Sequence, residues 1–154
     1  MEASVIICDY AQVNNGKLYI TGGAVNLIAT ALAEAPHPID AYAAITIAVP
    51  WNAHNQMHRL AVTLVDDDGA TIPLGASPPE TPAEDQGKVV GQFNIGRPAI
   101  MEYSDESLFP LAIPLRTAVP ALGGYRLKVE VDGTDIGSAR FRVVHSPQIQ
   151  FQAR

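Results

Sequence analysis

The stretch between Ala43 and Gly69 restricts the fold of this chain more than any other. It reads AAITIAVPWNAHNQMHRLAVTLVDDDG, two alternating runs around a short polar connection. In the first run Ala43, Ile45, Ile47 and Val49 share one parity, and in the second Leu60, Val62 and Leu64 do. Successive side chains of a strand point to opposite faces, so the alternation predicts a central pair of strands with one face on a core. The other face carries Ala44, Thr46 and Ala48 on one strand and Met57, Ala61, Thr63 and Val65 on the next. A face washed by water favours charged side chains, and these positions hold none. That face reads as a protein-docking surface, or as one covered by the chain's own loops.

Strand signals recur along the chain. Residues 4–13 open with the continuous apolar run VIIC, and Asn14-Asn15-Gly16 then supplies turn residues that tolerate positive φ, a hairpin signal. The return strand, 17–28, is interrupted at Gly22-Gly23, as at a bulge. Residues 29–40 alone have helix-forming composition, and Pro36 and Pro38 restrict them to a connection with about one helical turn. Residues 74–87 (LGASPPETPAEDQG) read as a long surface loop, 88–95 as a strand, and 96–107 as a second irregular stretch. In 108–116 (LFPLAIPLR), Pro110 and Pro114 are four residues apart, a spacing at which strand N–H groups point the same way, so both remove donors from the same edge. That strand is expected to pair on one side only. Residues 124–131 and 139–144 form the cleanest hairpin, with Tyr125, Leu127, Val129 and Val131 inward and Arg126, Lys128 and Glu130 outward.

About eight short strands and almost no helix point to an all-β fold. The expectation is one antiparallel β-sandwich domain over residues 1–154, immunoglobulin-like or of a related Greek-key topology. After the last hairpin, Ile149 and Phe151 alternate with glutamines in QIQFQ, so 146–154 reads as a strand-exchanging tail.

Composition excludes several classes of partner. The net charge is -6, and ten basic residues scattered along an acidic chain do not form the cluster that releases counterions from nucleic acid or anionic lipid. No apolar run approaches the ~20 residues that span a bilayer. The opening MEAS lacks a basic segment before an apolar one, which makes cytoplasmic the expected location. The single Cys8 lies in an apolar run, where a thiol stays protonated and inert.

The connection between the two central strands holds Trp51 and two of the four histidines. Trp51, Asn52, His54, Asn55 and His58 are the candidate ligand-binding set, suited to a sugar or small molecule, while Trp51 equally reads as a plug at the end of the sandwich. A metal site would need His54 and His58 to meet Asp66, Asp67 or Asp68. A strand from His58 to Asp66 separates them by roughly 25 Å, so no metal or other cofactor is expected. Asp66-Asp67-Asp68-Gly69 departs from the EF-hand pattern, because its twelfth position is Ser77. It reads as turn chemistry, with loop calcium through Asp132 and Asp135 as the alternative. There is no G-x-S-x-G elbow, and His145 beside Ser146 is adjacency without triad geometry, so no enzyme is expected.

Asp9-Tyr10-Ala11, then Gly16-Lys17-Leu18 and Gly22-Gly23, then Val49-Pro50-Trp51 with His58, and finally Leu64 through Asp68-Gly69 follow one another at a spacing that resembles a family of uncharacterised small bacterial proteins, mainly actinobacterial. The resemblance covers most of the chain and implies a single small β-domain without an established activity, cofactor or catalytic set. The expected function is a non-enzymatic structural or protein-interaction module in a homo-oligomer or larger assembly, contacting partners through Ala44, Thr46, Ala48, Met57, Ala61, Thr63, Ile149 and Phe151. The alternative is a small-ligand or carbohydrate-binding module using the loop 50–58.

Overall fold

A segment that buries one face can satisfy its backbone N–H and C=O groups only by pairing with a neighbour, and nearly every alternating run of this chain does so. The computed structural model describes residues 1–146. Its strands are β1 (Glu2–Cys8), β2 (Tyr10–Asn14), β3 (Lys17–Thr21), β4 (Leu27–Thr30), β5 (His37–Pro50), β6 (His58–Asp66), β7 (Thr71–Ile72), β8 (Val89–Phe93), β9 (Glu106–Val119), β10 (Gly123–Val131) and β11 (Thr134–His145). Single 3-10 turns at Trp51–Ala53 and Ala83–Asp85 are the only helical pieces among the described residues, so the protein is all-β. All of the expected tail beyond Ser146, with Ile149 and Phe151, lies outside the described residues.

The strands form a smaller sheet ordered β1-β5-β9, a larger curled sheet ordered β4-β11-β10-β6 with β7 and β8 on the far edge of β6, and a separate β2–β3 hairpin. One apolar core joins the two sheets: Ile45, Ile47, Val49 and Leu115 from the smaller meet Val62, Leu64, Leu127, Val129 and Val143 from the larger. The hairpin packs on the outer face of the smaller sheet, where Ala11 and Leu18 join Cys8, Tyr42, Ala44 and Ala112 in a second cluster.

The expectation that β5 and β6 pair with each other is corrected. Both edges of β5 are taken, by β1 and by β9, the latter over fourteen consecutive residue pairs from His37↔Val119 to Pro50↔Glu106. β6 pairs with β10 instead. The connection 51–57 is long enough to cross the core, and the two strands become interior strands of opposing sheets. The strand count also rises to eleven among the described residues. The expected strand 4–13 divides at Asp9 into β1 and β2, and 17–28 divides at Gly22-Gly23 into β3 and β4. The helical turn in 29–40 is absent: β5 begins at His37 and carries Pro38 opposite Ala118. Two prolines favour extended backbone and outweigh a weak helical propensity.

Both turn signals hold. Asn15 and Gly16 (φ 49° and 70°) close β2–β3, and Asp132 and Gly133 (φ 51° and 79°) close β10–β11. β9 pairs with β5 alone, as its prolines require. The loop 74–87 leaves and rejoins the edge of β6 between β7 and β8, its neck tied by Leu74 N–H donating to the Gly87 carbonyl at 2.9 Å.

Candidate functional site

The crossing from β5 to β6 builds one end of the molecule. His54, only 1% exposed, donates Nδ1–H to the Pro50 carbonyl at 2.9 Å, and its Nε2 pairs with the Ser107 hydroxyl at 2.8 Å. A hydroxyl and an imidazole at this distance could serve as nucleophile and base. Burial closes the ring to substrate, and the bonds instead join the connection to β9.

The side chain of His58 is 7% exposed. Its Nδ1 lies 2.7 Å from Asp132 Oδ2 and its Nε2 lies 2.7 Å from the Ala53 carbonyl. Carboxylate and carbonyl oxygens only accept, so both ring nitrogens donate and the ring is an imidazolium. Burial pushes its pKa down, but the Asp132 hydrogen bond, the Ala53 carbonyl and the Asp132 charge together outweigh that, and the net direction is up. Asp132 is held below the usual carboxylate range by the His58 hydrogen bond and then by the Arg59 N–H. Its Oδ1 accepts that N–H at 2.8 Å, and its own N–H donates to the Arg59 carbonyl at 2.9 Å. The β10–β11 turn is thereby bolted to the start of β6. Sequence reasoning sought a partner for His58 in Asp66–Asp68 and missed Asp132, because the pair depends on the register Leu60↔Val131.

What this end presents to water is Trp51, half-buried, with Asn52 and Asn55, both exposed. The Arg97 guanidinium lies over the Trp51 ring at 3.5 Å and donates from Nη2 to the Trp51 carbonyl at 3.0 Å. Asn55 sits at φ 59°, accepts the Arg97 N–H on Oδ1 at 3.1 Å and donates its own N–H to the Ile95 carbonyl at 2.9 Å. Tyr103 adds a second ring 5.3 Å from Trp51. Arg97 and Tyr103 come from the irregular stretch 96–107, which has no periodicity to signal them. The structure thus divides the candidate ligand set: His54 and His58 are internal struts, and Trp51, Asn52 and Asn55 remain at the surface.

Asp66 Oδ1 accepts the N–H groups of Asp68 at 3.0 Å and Ala70 at 2.8 Å, as a turn cap does. Asp67 faces Arg140 at 3.7 Å and Asp135 faces Lys128 at 3.7 Å. Among the described residues no group of three or more His, Cys, Asp or Glu side chains stands close enough to hold a metal ion. Cys8 is buried, its Sγ–H donates to the Tyr42 carbonyl at 3.5 Å, and burial raises its pKa.

The candidate interface residues are also divided. Ala44 is buried beneath the β2–β3 hairpin. Ala61 and Thr63 are buried on the outer face of β6, opposite Glu130 and Lys128 of β10. Thr46 and Ala48 are half-buried, and Met57 is exposed.

Among the described residues no helix is long and apolar enough to cross a membrane. No curated protein matches the chain. The sequence pattern of a family of unknown function, DUF6941, matches residues 3–144, so the chain belongs to that family.

Proposed function

We propose that this member of the DUF6941 family is a non-enzymatic β-sandwich module that works through protein contacts, in a homo-oligomer or a larger bacterial or phage assembly. One observation carries the reading. Ile100, Tyr103 and Leu108, all in one short stretch, are 90%, 78% and 68% exposed. Large apolar side chains this exposed mark an interaction site, since a partner would release the water around them. Leu108 stands opposite Ala48, past the part of the smaller sheet that the β2–β3 hairpin covers, beside a shallow depression of about 460 Å³ lined also by Ser4 and Thr46.

The Greek-key sandwich part of the reading has its own support. The chain passes from the smaller to the larger sheet twice, β5 to β6 and β9 to β10, with β5 beside β9 and β6 beside β10. A cytoplasmic setting accords with a single, unpaired, buried Cys8.

Light scattering on the purified protein should give a mass above that of one chain, or a partner should accompany the protein from its native cell. Tyr103→Ser combined with Leu108→Ser should weaken that association while leaving stability nearly unchanged, within ±0.5 kcal/mol per exposed site. A monomer at every concentration, with no protein accompanying it, would remove the reading.

A second reading is a small-ligand or carbohydrate site through Trp51, Asn52 and Asn55, with His54 and His58 as supports. The adjacent Trp51 and Tyr103 rings favour it. A thermal-shift screen of glycans and small molecules tests it: hits should disappear in Trp51→Ala, and a screen without hits counts against the site.

A further inference from the structure

An apolar groove of about 220 Å³ runs between the edge strands of the two sheets, with β8 on one bank and β9 on the other. Phe93, Phe109, Leu111 and Ile113 line it, and the Phe93 and Phe109 rings stack at 4.7 Å. The two banks differ. The unbroken ladder of β9 with β5 assigns the donors missing at Pro110 and Pro114 to its outer edge, which therefore cannot accept a full ladder. β8 pairs with β6 alone among the described residues, which leaves its other edge free. A Cβ added to Gly91, midway along that strand, would meet nothing within 4 Å.

We propose that residues 148–152 (QIQFQ) of a second copy of this chain add as a strand to the free edge of β8, with Ile149 and Phe151 seated in the groove. The proposal rests on the interaction reading above and adds a second contact surface to it. Strand addition gains affinity from main-chain bonds and specificity from alternate side chains. Ile149 and Phe151 are two residues apart in the sequence, so in a strand they would share one face and leave Gln148, Gln150 and Gln152 to the other.

The donor has to be another copy because the same chain cannot reach. Ser146 donates its N–H to Thr30 at the end of β4, on the opposite edge of the larger sheet from β8. From β11 to β8 is three strand spacings, ~14 Å along the sheet. Val62 lies opposite both Val89 and Val129, and Gly123 lies opposite Val143. Ser146 is thus nine residues, ~30 Å, beyond Val89 along the strand direction. Six residues from Ser146 to Gln152 extend ~20 Å at most.

The test uses full-length chains, whose own Cys8 is buried. A Gln150→Cys variant is mixed with a Val90→Cys or a Gln92→Cys variant, and the mixture is oxidised. Val90 and Gln92 lie on the outer face of β8, where Gln150 would stand beside one of them at cross-strand distance. The expected result is a mixed covalent dimer at several times the yield obtained with Leu27→Cys, on the distant β4 edge. Adding Phe151→Asp to the donor should return the yield to that background. Equal yields with all partners, or a yield indifferent to Phe151→Asp, would overturn the proposal. An oligomer by light scattering that gives no such crosslink keeps the interaction reading and removes this surface from it.

Discussion

His58 is gripped by a carboxylate on one side and a carbonyl on the other, and two acceptors require both ring nitrogens to carry hydrogen. The grip ties three segments that are remote in sequence: the 3-10 turn, the start of β6 and the β10–β11 turn. His58→Gln cannot reproduce both bonds and should cost about 1.5–3 kcal/mol in urea unfolding, the range for hydrogen bonds to charged groups. The pH dependence of that cost has a definite sign. The pKa of His58 is raised from 6.5, so its contribution is whole below that value and is lost as pH rises through the elevated one. The pKa of Asp132 is lowered from 3.8, so its contribution is whole above that value and is lost as pH falls through the depressed one. Wild type and His58→Gln should differ most between about pH 4 and 6.5 and converge as the solution becomes alkaline. A gap that widened from neutral to alkaline pH would contradict the imidazolium. None of this was readable beforehand: the histidine was visible, but its partner lies 74 residues away.

Among the elements, β1 and β11 meet where Gly137 leaves room. A Cβ at Gly137 would clash with the Ala3 carbonyl oxygen, and backbone cannot swing aside as a side chain can. Gly137→Ala should destabilise by about 1–3 kcal/mol, as overpacking does. Gly91→Ala, with open space at its Cβ, should stay within ±0.5 kcal/mol. Chemical denaturation of the two variants makes the comparison, and an equal loss in both would contradict the close crossing. The elements differ in how legible they were. The turns Asn15-Gly16 and Asp132-Gly133 announce hairpins because positive φ is a local property. Pro110 and Pro114 announce one-sided pairing because a missing donor is local too. The partners of β5 and β6 were not legible, since alternation names a buried face and leaves the neighbour in the ladder open.

In the whole molecule, one apolar cluster draws on both sheets, and Trp51 sits where β5 crosses to β6 against Arg97 from beyond β8. Loosening either sheet should therefore disturb its only tryptophan. Urea unfolding followed by Trp51 fluorescence and by far-ultraviolet circular dichroism should give coincident curves, with a slope of about 1–3 kcal/mol per molar urea. Separated midpoints would mean that the curled sheet opens apart from the smaller one. By itself the sequence determined an all-β chain, most of the strand positions, two tight turns and the one-sided pairing of β9, because each follows from side-chain parity or backbone chemistry within a few residues. Only the tertiary structure decided that β5 and β6 oppose each other across the core, that a hairpin covers Ala44, that His58 belongs to Asp132, and that a groove lies open between β8 and β9. Those outcomes depend on which segments compete successfully for the same edge or face, and such competition is settled among residues far apart in the chain.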